Sequence, residues 1–319
     1  MNDNQPTQKE SFLSFSLKET LIKAIKELGF ESPTPIQKKV IPHILNSNQD
    51  LIASAQTGTG KTAAFGLPIL NLINKDNTNV QTLILCPTRE LCIQIKNDLE
   101  NYSKYIKKIN ILAVYGGAKI ETQIRSMKKN PQIIVGTPGR TKDLIRRKKL
   151  FISSIQHLIL DEADEMLSMG FKEDLESIFR PTPKHKQILL FSATMTSKVD
   201  QFTRKYMGDS LRIAVKKVKQ SSDNIKHIFY MVEAKNRYEV VKRIADINPD
   251  IFGIVFCRTR RETKEVANKL MNDQYNADTI HGDLTQPERD DVMRRFRKRQ
   301  LQILVATDVA ARGLDVDDL

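Results

Sequence analysis

The sequence predicts an α/β protein of two domains, each built on a parallel sheet. Short apolar runs alternate with longer amphipathic ones almost throughout the chain. Most short runs are continuous Ile, Val and Leu rather than two-period alternations, as expected of strands buried on both faces. The 319 residues exceed what one domain of roughly 100–200 residues needs. Strand–helix–strand alternation implies right-handed crossovers, and in such open sheets ligands collect beyond the carboxyl ends of the strands.

In chain order the candidate strands are 50–55, 82–86, 110–115, 132–135, 157–160, 187–191 and 211–215, with helix-like segments such as 17–28, 90–104 and 173–179 between them. A polar, basic stretch at 216–226 (KKVKQSSDNIK) breaks the pattern and reads as a linker. Strand-like runs resume at 228–232, 253–256, 277–280 and 303–306. The expected division is a polar tail at 1–11, a first domain at 12–215, the linker, and a second domain at 227–319. Of the formal charge of +13, most lies in the first block: 31 basic and 21 acidic residues precede Lys216, and 20 and 17 lie from Lys216 onward.

Hydrophobic residues make up 40% and charged residues 28%, which supplies a real core and argues against wholesale disorder. No uninterrupted apolar stretch reaches the length of a membrane span, so no membrane partner is expected. The polar start, 1–10, has no apolar signal region, and a cytoplasmic setting is expected. The basic excess fits a partner with a phosphate backbone, because each neutralised phosphate releases counterions; it fits a Lys-rich proteome equally well. Cys86, Cys92 and Cys257 sit in apolar stretches and read as buried thiols, and the scattered histidines (His43, His157, His185, His227, His281) offer no zinc-site spacing.

The strongest motif is Ala55-Gln56-Thr57-Gly58-Thr59-Gly60-Lys61-Thr62, after a buried strand and before a helix. Gly58 and Gly60 let the backbone turn tightly and aim N–H groups at phosphate oxygens. The helix N-terminus adds positive potential, Lys61 can reach β/γ-phosphates, and the Thr62 hydroxyl can ligate Mg²⁺. A general phosphate loop begins with Gly where Ala55 stands, and a chance glycine turn is the bland alternative.

Asp161-Glu162-Ala163-Asp164 follows the 157–160 strand. Asp161 is placed to hold Mg²⁺ and Glu162 to orient and deprotonate an attacking water, because phosphoryl transfer needs positioning and charge neutralisation. The bland alternative is an acidic first helix turn favoured by the helix dipole. Ser192-Ala193-Thr194 also ends a strand and belongs to the same ligand-side rim, although Ser and Thr are ordinary turn residues.

Together these motifs resemble a DEAD-box ATP-dependent RNA helicase of helicase superfamily 2, from about Phe12 to the last residue. The stretch from Gly29 to Gln37 (GFESPTPIQ) resembles the family's Q motif, with Phe12 as its upstream aromatic. Pro87-Thr88-Arg89-Glu90-Leu91 resembles motif Ia, Gly116-Gly117 the paired glycines, and Thr137-Pro138-Gly139-Arg140 motif Ib. In the second block, IVFCRT ending at Thr259 resembles motif IV. His281-Gly282-Asp283 with Gln286 and Arg289 resembles the motif after it, and Ala306 to Asp315, including Thr307, resembles motif V. Ala55 is the family's own version of the phosphate-loop start.

The resemblance implies two tandem RecA-like domains, the second incomplete, with ATP and Mg²⁺ as cofactors and RNA as partner. Gln37 would read adenine with its amide, Phe30 would stack on the base, and Asp315 would touch the ribose. Read without the family, Phe30 is a core aromatic and Gln37 a helix-start residue after Pro35. Ser192 and Thr194 would hydrogen-bond Asp164 and couple the nucleotide site to RNA. Pro87, Thr88, Arg89, Gly116, Gly117, Thr137, Pro138, Gly139 and Arg140 would grip the RNA backbone, with Thr259, Arg289 and Thr307 from the second domain. Such contacts are sequence-independent, because phosphates carry no base identity; turn glycines are the plain alternative. The basic clusters at 146–149 and 294–299 match no family motif and read as solvated faces.

The family's arginine-rich motif, His-Arg-x-Gly-Arg-x-Gly-Arg, occurs nowhere in this sequence, which ends at Leu319. An arginine finger is worth about 10³–10⁵ in rate. The expectation is therefore a helicase fragment, monomeric, that binds Mg·ATP weakly and shows little RNA-stimulated hydrolysis and no strand separation. Any protein partners would be taken through a missing C-terminal region. The competing readings are a superfamily 2 DNA helicase, against which the Gln37 motif and Asp-Glu-Ala-Asp both stand, and a non-catalytic RNA clamp. A phosphate-loop kinase would need an acceptor site that no motif supplies.

Overall fold

The computed structural model describes residues 11–56, 58–215 and 226–308. The chain divides into two compact units, Met1–Lys217 and Val218–Leu319. Of the expected segments, the tail apart from Ser11, the linker apart from Lys226, and Thr57 and Asp315 lie outside the described residues.

The first unit opens with a 3₁₀ turn (Phe12–Phe15) and two helices, α1 (Glu19–Glu27) and α2 (Pro35–Asn46). Strands and helices then alternate: β1 (Asp50–Ser54), α3 (Lys61–Leu72), β2 (Thr82–Leu85), α4 (Arg89–Tyr102), β3 (Ile111–Val114), α5 (Ile120–Met127), β4 (Ile133–Gly136), α6 (Pro138–Arg146) and β5 (His157–Leu160). After α7 (Ala163–Ser168) and α8 (Lys172–Phe179) come β6 (Gln187–Ser192), α9 (Ser197–Tyr206) and β7 (Ser210–Ala214). The seven strands form one sheet in the order β3-β4-β2-β5-β6-β1-β7, every pair parallel.

Strands β2, β4, β5 and β6 are buried along their whole length, which is why they read as unbroken aliphatic runs. One face of the sheet packs on α2, α3 and α4 through Ile36, Val40, Phe65 and Leu99. Phe65 meets Phe191 with ring centroids 5.2 Å apart. The other face packs on α6 to α9 through Leu144, Met166, Leu175 and Val199. Side-chain caps set several helix starts: Thr88 accepts from Leu91 N at the head of α4, and Thr196 from Val199 N at the head of α9. Thr34 and Gln37 close a capping box at α2, with Pro35 at its first position.

The second unit contains α10 (Arg237–Asp246), β8 (Gly253–Cys257), α11 (Arg260–Asn272), β9 (Ala277–Ile280), α12 (Gln286–Arg297) and β10 (Ile303–Thr307). Its described strands form a parallel sheet in the order β8-β10-β9. Phe296 of α12 fills one face, and Leu270 of α11 the other. The strand expected at 228–232 is corrected: it pairs with no strand among the described residues, and Phe229 is 84% exposed. A β-type composition specifies a strand only where a neighbour offers its backbone groups.

Candidate functional site

Because every strand of the first sheet points the same way, the motifs that follow its strands fall at one rim. The phosphate loop leaves β1, and Pro87-Thr88-Arg89 leaves β2. Gly116-Gly117 follows β3, Thr137-Pro138 follows β4, Asp161-Glu162 follows β5, and Ser192 closes β6. This is the carboxyl-end rim, where open α/β sheets bind ligands.

At the phosphate loop, Gly58 and Gly60 have φ of +75° and +83°, the left-handed region that glycine adopts without strain. A Cβ at Gly60 would also stand 2.4 Å from Gln37 Nε2 and displace the amide that ties α2 to the loop. Gln37 is buried and ties helix to loop: its Nε2 donates to Gly60 O at 3.1 Å, and its Oε1 accepts from Thr34 N at 2.9 Å. Thr34 adds a second tie, donating its hydroxyl to Thr59 O at 2.9 Å, and the Thr59 hydroxyl closes the loop onto Gln56 O at 2.7 Å. A primary amide has two N–H groups and two lone pairs, so Gln37 keeps one of each for a ligand.

Lys61 is buried, and its ammonium makes no hydrogen bond among the described residues; Asp161 Oδ1 lies 3.7 Å away. Burial pushes the Asp161 carboxyl up, and the Lys61 charge opposes it. Asp161 Oδ1 also accepts from Glu162 N at 3.0 Å. Glu162 holds φ +53°, a conformation that costs a non-glycine residue about 1 kcal/mol or more. Its carboxyl is pushed up to about 7, first by burial and then by the neighbouring Asp161 charge. A carboxylate of that basicity suits proton abstraction near neutral pH.

The residues present fit a magnesium-bound nucleoside triphosphate. An ammonium buried without a hydrogen-bond acceptor calls for anionic oxygens, and it stands at the mouth of a loop whose glycines leave room for them. Among the described residues no group of three or more His, Cys, Asp or Glu could hold a metal ion unaided. Mg²⁺ would therefore be shared between Thr62, Asp161 and the phosphates themselves.

Asp164 connects this centre to the end of β6. Its Oδ2 accepts from both Thr194 N (2.9 Å) and the Thr194 hydroxyl (2.7 Å). Ser192 does not join them, which corrects the expectation of two donors. As the last residue of β6 it is fully buried, and its hydroxyl turns to the Thr194 carbonyl at 2.7 Å, the nearer acceptor around the turn.

Phe12 and Phe30 pack on each other, centroids 6.0 Å apart, and Phe30 also meets Tyr102 edge-on. Phe12 is part of the buried core and Phe30 is half-buried against it, beside the Gln37 helix.

Three candidate RNA motifs meet at the β2–β4–β3 end of the rim. The Arg89 guanidinium lies over the Tyr115 ring, 4.6 Å from its centroid. Arg140 donates to Gln123 Oε1 at 2.9 Å and to Ala118 O at 3.0 Å, and Gln123 Nε2 donates to Tyr115 O at 3.1 Å. Gly116 and Gly117 are exposed, while Pro87, Thr88, Thr137 and Pro138 are buried. Gln123 and Tyr115 were not singled out in the sequence. Tyr115 adjoins the glycine pair, which is a usable signal, whereas Gln123 is one polar residue in a short helix.

In the second unit Thr259, at the end of β8, caps α11 by accepting from Glu262 N at 3.1 Å; Thr307 ends β10, and Arg289 lies in the first turns of α12. Asp283, after β9, is gripped by Lys264 at 3.1 Å and Arg260 at 2.8 Å, which hold its carboxyl below the usual range.

The comparisons agree with this geometry. The DEAD/DEAH box helicase family matches residues 34–202, and the helicase conserved C-terminal domain matches 236–319. An ATP-dependent RNA helicase CshA of Listeria monocytogenes is 47% identical over 305 residues, 96% of this chain and 58% of that protein. A DEAD-box ATP-dependent RNA helicase CshA of Bacillus anthracis is 45% identical over 306 residues, with the same coverage. The chain thus spans less than two thirds of the length of these relatives. Among solved structures, a DEAD box protein from Methanococcus jannaschii is 44% identical, with a TM-score of 0.63 over 97% of this chain and 83% of that one. S. cerevisiae Dbp5 bound to RNA and ADP BeF3 is 31% identical, with a TM-score of 0.86 over 96% and 78%. With both family regions matched in order, and with phosphate loop, acidic motif and Ser-Ala-Thr on one rim of a parallel sheet, this chain belongs to the DEAD/DEAH box helicase family.

Proposed function

We propose that the chain is the nucleotide- and RNA-binding core of an ATP-dependent RNA helicase. The observation that carries the reading is the buried, hydrogen-bond-free ammonium of Lys61 facing Asp161 beside the Gly58–Gly60 turn, with Glu162 next in line. Backbone amides of the loop and Lys61 would hold the phosphates of ATP, and Gln37 would present its remaining N–H and lone pair to the base. Thr62 and Asp161 would hold Mg²⁺, which supplies charge neutralisation at the phosphates. Glu162 would orient a water and take its proton, its raised basicity fitting that role. Thr194, fixed to Asp164, would transmit strain between this centre and the RNA side of the rim.

RNA would lie across Arg89, the exposed Gly116-Gly117 turn and Gly139-Arg140, held by its sugar–phosphate backbone; Thr259, Arg289 and Thr307 would contribute from the second unit. The names of the CshA relatives, and the RNA-bound Dbp5 structure, support RNA as the partner. Among the described residues no helix is long and apolar enough to cross a membrane. All three cysteines are free and buried, which supports a cytoplasmic setting.

The test is ATP hydrolysis with and without single-stranded RNA, with Glu162→Gln as control. Any RNA-stimulated turnover should fall by about 10²-fold or more in the variant, while Mg·ATP binding stays within about threefold. Turnover that persists in Glu162→Gln, or wild-type chain that binds no Mg·ATP, contradicts the reading.

A further inference from the structure

The rim opposite the candidate site is formed by the loops that enter the strands, and it is basic. Lys107-Lys108 precede β3, Lys128-Lys129 precede β4, and Lys148-Lys149 precede β5, all exposed. The first two loops touch: Asn110 Nδ2 donates to Lys129 O at 2.8 Å, and Gln132 Nε2 donates to Lys108 O at 3.3 Å. Nearby Arg146 and Arg147 are engaged by Asp143, but none of the six lysines makes an ion pair among the described residues.

Helix dipoles favour cations at helix C-termini, and that accounts for Lys128-Lys129 at the end of α5 and contributes at Lys148-Lys149 just past α6. The effect fades within a turn, and Lys107-Lys108 lie more than a turn beyond the end of α4 at Tyr102.

A second observation points to the ligand. Phe151, two residues after Lys149, is 70% exposed, although Leu150 and Ile152 on either side are buried at 3%. A lone exposed apolar residue is ordinary. An exposed aromatic ring beside a run of unpaired cations is the composition of a single-strand platform, where a base stacks on the ring and the cations follow the phosphates. The same connection ends at Gln156, on the wall of an open cleft of about 590 Å³ that also includes Lys184 and Lys186.

We propose that this rim is a second, sequence-independent contact for single-stranded RNA, with Phe151 as stacking platform and Lys148-Lys149, together with the lysine pairs before β3 and β4 on the same rim, as phosphate contacts. It lies at the far end of the strands from the nucleotide loop, so it acts without nucleotide and can hold a flank of an RNA, or a second strand, away from the rim that carries Arg89 and Arg140. Contact there stands apart from ATP chemistry.

The experiment is fluorescence anisotropy of a labelled oligouridylate on the whole chain, without nucleotide or magnesium, across a salt series. Phe151→Ala should weaken binding about fivefold or more, and Phe151→Trp should restore it. Lys148→Ala with Lys149→Ala should lower the slope of log K against log salt by about 1.4. Thermal unfolding and Mg·ATP affinity should not change in any of these variants, so failure here leaves the proposed nucleotide chemistry standing. RNA carrying 4-thiouridine should cross-link to the peptide that contains Phe151. Affinity within twofold of wild type in both the Phe151→Ala and double-lysine variants, or cross-links confined to the Arg89–Arg140 rim, overturns the proposal. So does binding to phosphatidylglycerol vesicles that depends on these lysines while RNA affinity ignores them.

Discussion

Thr194 donates twice to one oxygen of Asp164, by its amide at 2.9 Å and its hydroxyl at 2.7 Å, while the other oxygen, Oδ1, is buried without a hydrogen bond among the described residues. The acidic turn after β5 and the end of β6 are thereby fastened at a single atom. Thr194→Val removes the hydroxyl and keeps the amide; it should cost about 1–3 kcal/mol in urea unfolding, the range for a hydrogen bond to a charged group. Thr194→Ser should recover most of that. Ser192→Ala should cost about 1 kcal/mol and leave any nucleotide–RNA coupling intact, because the Ser192 hydroxyl faces the Thr194 carbonyl. Equal coupling losses in the two variants would contradict this assignment.

Gln37 holds the phosphate loop from α2 by its bond to Gly60 O. Gln37→Glu keeps the acceptor for Thr34 N but sets a second acceptor against Gly60 O. Mg·ATP affinity should fall about tenfold or more, an energetic loss of about 1.4 kcal/mol. Isothermal titration reads it directly, and unchanged affinity would separate Gln37 from the loop.

Gln123 bridges Arg140 and the Tyr115 carbonyl. Gln123→Ala should loosen both and lower affinity for single-stranded RNA about five- to tenfold, with Mg·ATP affinity unchanged. Equal losses for both ligands would mark a general folding defect instead.

His157, at the start of β5, is pushed down by burial to about 4 from 6.5. Between those values the unfolded chain holds a proton that the folded chain excludes, so stability falls as pH drops from 6.5 towards 4. The slope is at most about 1.4 kcal/mol per pH unit. His157→Gln should flatten the difference between urea melts at pH 7 and pH 5 by about 1–2 kcal/mol. An unchanged difference would show that the imidazole protonates freely in the fold.

Much of the architecture was legible because burial writes itself into composition. The short aliphatic runs ILLFS in β6 and HLIL in β5 read as strands buried on both faces, and the order of loops after them placed the candidate site. The 228–232 segment shares that composition and still forms no strand, because pairing depends on a neighbour that local pattern does not reveal. The Ser192 hydroxyl bond, the Gln37–Gly60 tie and the Gln123 bridge were hidden for the same reason: each joins groups brought together only by the tertiary fold.

Lys61 is proposed to hold phosphate while Glu162 acts on water, and Mg·ATP binding to wild type, Lys61→Ala and Glu162→Gln, each paired with single-turnover hydrolysis, separates the two roles. Lys61→Ala should lose about tenfold or more in affinity. Glu162→Gln should keep affinity within about threefold and lose hydrolysis. Tight Mg·ATP binding by Lys61→Ala, or hydrolysis at the wild-type rate by Glu162→Gln, would contradict these roles.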